Sequence, residues 1–342
     1  MYKWRLVLLP FSWIFFVIVS LRNLLFDSGV FAVFTIPKPS ITVGNLRVGG
    51  TGKTPMTIYL GKLLETQFST AVISRGYGRT TKGFTIVSID DSPENSGDEP
   101  LLIRQQLQSS TTVVVSEKRK EGFLELMKMH PPTEVVIFDD AFQHRKIKTG
   151  LSLLLTEYDR PYWKDHLLPA GRLREPSSAA KRADILIITK SPDDLTEAQK
   201  SNFISNTSFS EENVFFSSIK YMGLSAMFYK IPTLKKIVLV TGIDNPIPLQ
   251  KELEKNHDIH ALNYADHYAF TPSDLKHIHD IFGTFVHDET AIVTTSKDFV
   301  RLKQADLNHQ MNQFPWYVME IELKMDKEEM FNERIINYVR GI

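Results

Sequence analysis

Short, almost uninterrupted apolar runs recur along the first two thirds of the chain at 41–43, 70–74, 112–115, 134–138, 151–155 and 185–188, with polar or helix-prone segments between them. Runs of this length without alternation suit parallel strands buried on both faces. The pattern predicts an α/β fold around a mostly parallel sheet. Further runs at 237–240, 291–294 and 316–321 predict a second, smaller α/β unit. Between the two sets, 214–221 and, past Gly223, 226–230 read as two extended strands of a linker. The expected plan is an apolar helix over 1–28, a larger domain over 29–212, a two-stranded linker over 213–233 and a C-terminal domain over 234–342.

The amino-terminus breaks the pattern. Leu6 to Leu21 is a 16-residue run without charge, flanked by Lys3 and Arg5 before it and Arg22 after it. As a helix it would be roughly 24 Å long, short of the ~30 Å hydrocarbon core, and Pro10 interrupts it. A signal peptide would end in small residues, and 19–24 offers none of the required kind. A buried core helix is the plain alternative. A membrane-embedded or interfacial helix fits better, with Trp4 and Trp13 at headgroup level, Phe11, Phe15 and Phe16 at the acyl boundary, and basic flanks for lipid phosphates.

Composition narrows the classes. Lys plus Arg equals Asp plus Glu at 40 each, so no overall field draws the chain to nucleic acid, and a monomer without nucleic-acid partners is expected. The absence of cysteine excludes disulfides, thiolate zinc sites and a cysteine nucleophile.

The chemistry concentrates in Gly49-Gly50-Thr51-Gly52-Lys53-Thr54, between the apolar run 41–43 and a helix-prone stretch. Glycines let backbone N–H groups turn around an anion, Lys53 brings a mobile charge for terminal phosphates, and the Thr54 hydroxyl can ligate Mg²⁺. The expected ligand is ATP or GTP with magnesium, held by Arg47, Val48 and residues 49–54. The match is not strict, because Arg47 stands where the motif has its first glycine, and Gly44-Asn45 is the alternative bend. Asp139-Asp140 end a strand run where a second nucleotide-site acid belongs. Asp98-Glu99 precede a helix start, where capping alone would explain them. Asp266-His267-Tyr268 offers a neighbour that could assist a weak carboxylate base. Arginines in Arg75-Gly76-Tyr77-Gly78-Arg79 and Gly171-Arg172-Leu173-Arg174 suit a phosphate, although a solvated loop is equally open to them.

Taken in order, 43–55, 75–79, Gly97-Asp98-Glu99-Pro100, Asp139-Asp140-Ala141-Phe142-Gln143-His144-Arg145, 171–176 and 266–268 resemble the tetraacyldisaccharide 4'-kinase family of lipid A biosynthesis over nearly the whole chain. Ala141 departs from the glycine common there. The resemblance implies a P-loop NTPase-like kinase domain that uses ATP and Mg²⁺ to phosphorylate the 4'-hydroxyl of a lipid A disaccharide 1-phosphate precursor at the cytoplasmic face of the inner membrane. It implies Lys53 and Thr54 on the ATP phosphates, Thr54, Asp139 and Glu99 on the metal side, and Asp98 with His267 as the base. Arg75, Tyr77, Arg79, His144 and Arg172 would lie near the lipid. A rival class is a membrane-bound nucleotide switch. Thr189-Lys190-Ser191-Pro192 has the outline of a guanine-reading [N/T]-K-x-D element, but Pro192 replaces its aspartate, and neither Asp139 nor Asp140 begins a D-x-x-G switch. A small-molecule kinase that merely binds membranes is the third reading.

Overall fold

The computed structural model describes residues 3–303, 307 and 310–341, and the side chains of Lys3 and Trp4 lie outside that description. In the first half the strands are β1 (Phe34–Thr35), β2 (Ser40–Asn45), β3 (Thr70–Ser74), β4 (Thr85–Ile86), β5 (Thr112–Val115), β6 (Val135–Asp139), β7 (Ile147–Lys148), β8 (Leu151–Glu157) and β9 (Ile185–Thr189). The second half adds β10 (Val214–Ala226), β11 (Lys236–Thr241), β12 (Asp258–Asn263), β13 (Thr290–Thr295) and β14 (Trp316–Met325). The helices used below are α1 (Leu9–Asp27), α2 (Lys53–Leu64), α3 (Pro93–Ser96), α4 (Asp98–Gln106), α5 (Arg119–Met129), α6 (Glu197–Ile204), α7 (Ile247–Glu254), α8 (Pro272–Phe282), α9 (Ser296–Leu302) and a C-terminal helix, Glu328–Arg340.

Twelve of these strands form one sheet in the order β12-β11-β13-β14-β10-β9-β8-β2-β6-β3-β5-β4, while β1 and β7 pair separately. Neighbours are parallel except at β4/β5 and at β10/β14. Strands β2, β3, β6 and β9 are buried at every position, which is what unbroken apolar runs demand. β2 lies between β6 and β8, so whatever follows it sits at the middle of the sheet's carboxyl edge.

The two halves join along the antiparallel seam of β10 and β14. Here the structure corrects the expected pair of strands at 214–221 and 226–230. One long strand runs through 214–226, and its partner is 316–325, nearly a hundred residues on. Gly223, at φ 114°, takes up a register shift that lets β10 continue instead of turning back. β12 was also missed by pattern, because its burial is partial and alternating at the sheet edge.

After the seam the chain returns to the first half. Phe331, Ile335 and Val339, spaced four apart on the C-terminal helix, join the core formed by Ile41, Met56 and Leu60. Tyr338 accepts a hydrogen bond from the Ser40 amide and donates one to the Ser40 carbonyl, both 3.0 Å. The end of the chain thereby braces the strand that carries the glycine-rich loop.

Residues Arg5–Asp27 make a helix long and apolar enough to cross a membrane, yet only 11% of its most apolar stretch is buried. Ser12, Val19 and Phe26, seven apart, are its buried residues and form one narrow docking stripe. Trp13, Ile14, Ile18 and Leu24 point outward at 55–70% exposure. A core helix would show the reverse. Ser12 donates to the Leu167 carbonyl (2.9 Å), Arg22 to the Gln143 carbonyl (2.8 Å) and Asn23 to Glu175 (3.0 Å). Arg145 grips the Asn23 carbonyl and Asp27 from the other side.

Candidate active site

The loop after β2 turns through Gly49 at φ 114° and Gly52 at φ 84°, conformations that side chains resist. Gly52 caps α2 without a side-chain hydrogen bond, and the first turn carries no acid. The helix N-terminus therefore opens toward the loop with its amides free for an anion. The loop is fastened from behind. Asn45 Nδ2 donates to Thr51 Oγ1 at 2.6 Å, and Thr189 Oγ1 donates to the Thr51 carbonyl at 3.0 Å. Lys190, in a left-handed conformation at φ 54°, reaches the Gly50 carbonyl at 2.6 Å and Glu157. The segment resembling a guanine reader thus acts as a staple for the loop.

Arg47 does not offer its side chain to the loop. Its guanidinium is buried against Glu157 (3.0 Å), the Arg160 carbonyl (3.0 Å) and Asp165 (2.9 Å). The residue that breaks the motif is an anchor. Its neighbours Leu46 and Val48 bond to Arg174 and Arg172, so the 171–174 segment lines the same loop. Val48 itself is 45% exposed beside it.

Lys53 Nζ lies 3.7 Å from Asp140, which Arg174 also approaches at 3.4 Å. Thr54 and Asp139 are buried next to each other's elements, with Asp139 accepting from Thr57 Oγ1 (3.0 Å) and Ser74 Oγ (2.9 Å). Burial, then the charges of Glu99 and Asp140, push the Asp139 carboxyl up to about 6. No group of three or more His, Asp or Glu side chains converges to hold a metal alone among the described residues. What does converge is a set of mutually repelling carboxylates, Asp139, Asp140 and Glu99, and such oxygen donors fit a Mg²⁺ whose other ligands are phosphate oxygens and water.

Asp98 opens α4 beneath Gly97, where a φ of 90° and a Cβ that would sit 3.0 Å from the Tyr77 carbonyl make any side chain strained. Asp98 Oδ2 is 3.1 Å from His267 Nδ1, across 169 sequence positions. The second nitrogen, Nε2, faces Lys297 Nζ at 3.2 Å, and Arg301 Nη2 lies 3.2 Å from Nδ1, so each ring nitrogen meets a cationic side chain. Burial opposes the Asp98 charge, but the His267 hydrogen bond and the Lys297 and Arg301 charges outweigh it and hold the carboxyl well below the usual range. Glu99 is tied to Lys297 at 3.0 Å.

The other expected ligand residues divide. Tyr77 is 69% exposed and meets the His267 ring edge-on at 5.9 Å, and Arg75 is exposed beside it. Arg172 is half exposed and 3.7 Å from Asp244 of the second half. His144 is pushed down to about 4 by burial and by the charges of Arg119 and Arg75. Arg79 differs from the rest. Its guanidinium is 2% exposed and committed to Glu117 (2.6 Å) and the Gly83 carbonyl (2.5 Å), which holds the loop that presents Tyr77. Sequence reasoning passed over Lys297 and Arg301, read Asn45 only as part of an alternative bend, and took Asp140 with Asp139 as a nucleotide-site acid without its tie to Lys53 and Arg174. Lys190 carried a signal in the outline of its tetrapeptide, but for guanine reading and not for stapling the loop.

A family model described as tetraacyldisaccharide-1-P 4'-kinase matches residues 4–340. A tetraacyldisaccharide 4'-kinase of Bacteroides fragilis is 39% identical over 99% of this chain and 93% of its own length. One from Flavobacterium johnsoniae is 35% identical over 98% and 97%. Among solved structures, LpxK from Aquifex aeolicus in complex with ATP superposes with a TM-score of 0.75 at 30% identity, covering 98% of this chain and 99% of that one.

Proposed function

The chain belongs to the tetraacyldisaccharide-1-P 4'-kinase family, and we propose that it carries out that family's reaction by direct in-line transfer at a lipid surface. It is a kinase that phosphorylates the lipid A precursor at the 4' position with ATP. The contact between Asp98 and His267 carries the mechanistic reading, because two otherwise ordinary residues meet across 169 positions, next to a Glu99 whose charge acts on Asp139. As the 4'-oxygen bonds to the γ-phosphorus, the bond to the β–γ bridging oxygen breaks, ADP leaves, and the hydroxyl proton passes to Asp98. His267 orients that carboxylate. The glycine amides of the loop and the Lys53 ammonium hold the phosphate chain and spread its charge.

Magnesium would rest on Thr54 and Asp139, with Glu99 nearby, and would neutralise charge on the bridging phosphates when bound. Arg75, Tyr77, His144 and Arg172 bind the disaccharide and its phosphate, while Arg79 and Arg47 act from behind the loops they anchor. The outward apolar face of α1 seats the enzyme in the cytoplasmic leaflet of the inner membrane, where its acceptor is concentrated. The domain division near residue 213 gives the second half a hinge about the β10/β14 seam, and closure there, with His267 held at Asp98 as it is here, would exclude water.

The test is transfer of labelled γ-phosphate from ATP to detergent-solubilised tetraacyldisaccharide 1-phosphate. The Lys53→Ala variant should lose about 10²-fold or more in kcat. Near wild-type turnover by that variant, or equal transfer to water-soluble sugars, would refute the reading.

A further inference from the structure

The short helix α9 contributed no motif to the site, yet two of its residues reach the centre of it. Arg301 is 4% exposed, and its Nε and Nη2 both donate to Asp98 Oδ2, at 2.8 and 2.5 Å. Its third nitrogen is held by the Gly242 carbonyl and by Asp298, each 2.9 Å. Asp298 is in turn fixed by the Gly242 amide (3.0 Å) and Thr295 Oγ1 (2.8 Å). The guanidinium therefore has one available orientation. One turn earlier, Lys297 spans Glu99 Oε1 (3.0 Å) and His267 Nε2 (3.2 Å).

The donors are shared unequally between the Asp98 oxygens. Oδ2 receives Arg301 twice and has His267 Nδ1 at 3.1 Å, whereas Oδ1 receives only the Glu99 amide, at 2.9 Å. A carboxylate oxygen has about two lone-pair positions, so Oδ2 is filled and Oδ1 keeps one free. We propose that Arg301 and Lys297 are positioning residues for the phosphoryl transfer. Arg301 saturates Oδ2 and presents Oδ1 to the acceptor hydroxyl, and Lys297 fixes the imidazole from its far nitrogen. This rests on reading Asp98 and His267 as the base pair. The fork of a guanidinium is needed, since it converges two fixed N–H bonds on one oxygen while its third nitrogen's partners hold the group in place, which an ammonium cannot do. Because α9 belongs to the second half and Asp98 to the first, the base exists in its working form only when the halves meet.

The experiment uses the full-length enzyme with ATP, magnesium and the solubilised disaccharide. Arg301→Lys, which keeps the charge and protects folding, should lower kcat about 10- to 100-fold with KM for ATP within about twofold. Arg301→Ala should recover turnover in millimolar guanidinium and not in ammonium. The Asp98→Asn/Arg301→Lys double variant should be no slower than Asp98→Asn, because Arg301 acts through that carboxylate. Wild-type kcat in Arg301→Lys, a loss that tracks only the unfolded fraction, or additive losses in the double variant would overturn the positioning role. Wild-type kcat in Asp98→Asn would instead overturn the base assignment beneath it.

Discussion

Replacing Arg47 by glycine would make the phosphate loop a strict G-x-x-x-x-G-K-T motif, and the structure predicts that this improvement damages the protein. The Arg47 guanidinium is 5% exposed and is the partner of two carboxylates, Glu157 at 3.0 Å and Asp165 at 2.9 Å. Removing one member of a buried ion pair costs about 3–5 kcal/mol, because the other charge stays behind without compensation. Two features reduce the loss here. Glu157 keeps Lys190, and Asp165 keeps the His166 amide at 2.8 Å. An added glycine costs a further ~0.5–1 kcal/mol in backbone entropy. The net expectation is about 3 kcal/mol, which at roughly 2 °C per kcal/mol for a chain of this size lowers the unfolding midpoint by about 6 °C. The loss should reach function, because Leu46 and Val48 tie the loop to 172–174. KM for ATP should rise several-fold with little change in kcat. Thermal scanning and initial rates measure both. Adding Glu157→Gln should restore part of the stability by removing the stranded charge. A glycine variant that melts at the wild-type temperature and binds ATP equally well would refute the reasoning.

Other expectations rest on separate parts of the structure. His279 Nε2 accepts from Trp316 Nε1 at 3.3 Å and its ring stacks on Phe314 at 3.6 Å, and burial pushes it down to about 4. The unfolded chain binds a proton there near 6.5 and the folded one does not, so this contribution is complete above pH 6.5 and is lost as pH falls toward 4. The interval caps the loss at about 3 kcal/mol, and His279→Gln should flatten urea-unfolding stability across it. A variant with an unchanged slope would count against the assignment. On α1, Ile14→Asp with Ile18→Asp alters only the outward face, so membrane recovery should drop while kcat on solubilised substrate holds. Deleting 1–26 is the blunter change, because it also removes the Ser12, Arg22 and Asn23 contacts to the site loops. An undiminished membrane fraction in the double variant would argue against the seating of α1.

The strands were legible because burial on both faces forces unbroken apolar runs, and 70–74 and 112–115 coincide with β3 and β5. The glycine-rich loop was legible because its chemistry needs neighbouring residues. The continuation of β10 to 226 was not, since an antiparallel strand's partner is chosen by the whole sheet, and 316–325 is too distant to leave a local mark. The same limit hid Arg301 and Lys297, whose surroundings in sequence read as an ordinary charged helix.

By itself the sequence determined the α/β class, the apolar amino-terminal helix, the phosphate loop and, through the ordered set of short motifs, the family. Those features are encoded by residues close together, where periodicity and backbone requirements act directly. The tertiary structure decided that Arg47 anchors the loop, that Arg79 holds its own loop, that Lys190 staples the phosphate site, and that one Asp98 oxygen is occupied while the other remains open. Each depends on which side chains from distant strands share a buried volume. There, hydrogen-bond geometry and desolvation set the role of a charged residue, and its identity in the chain does not.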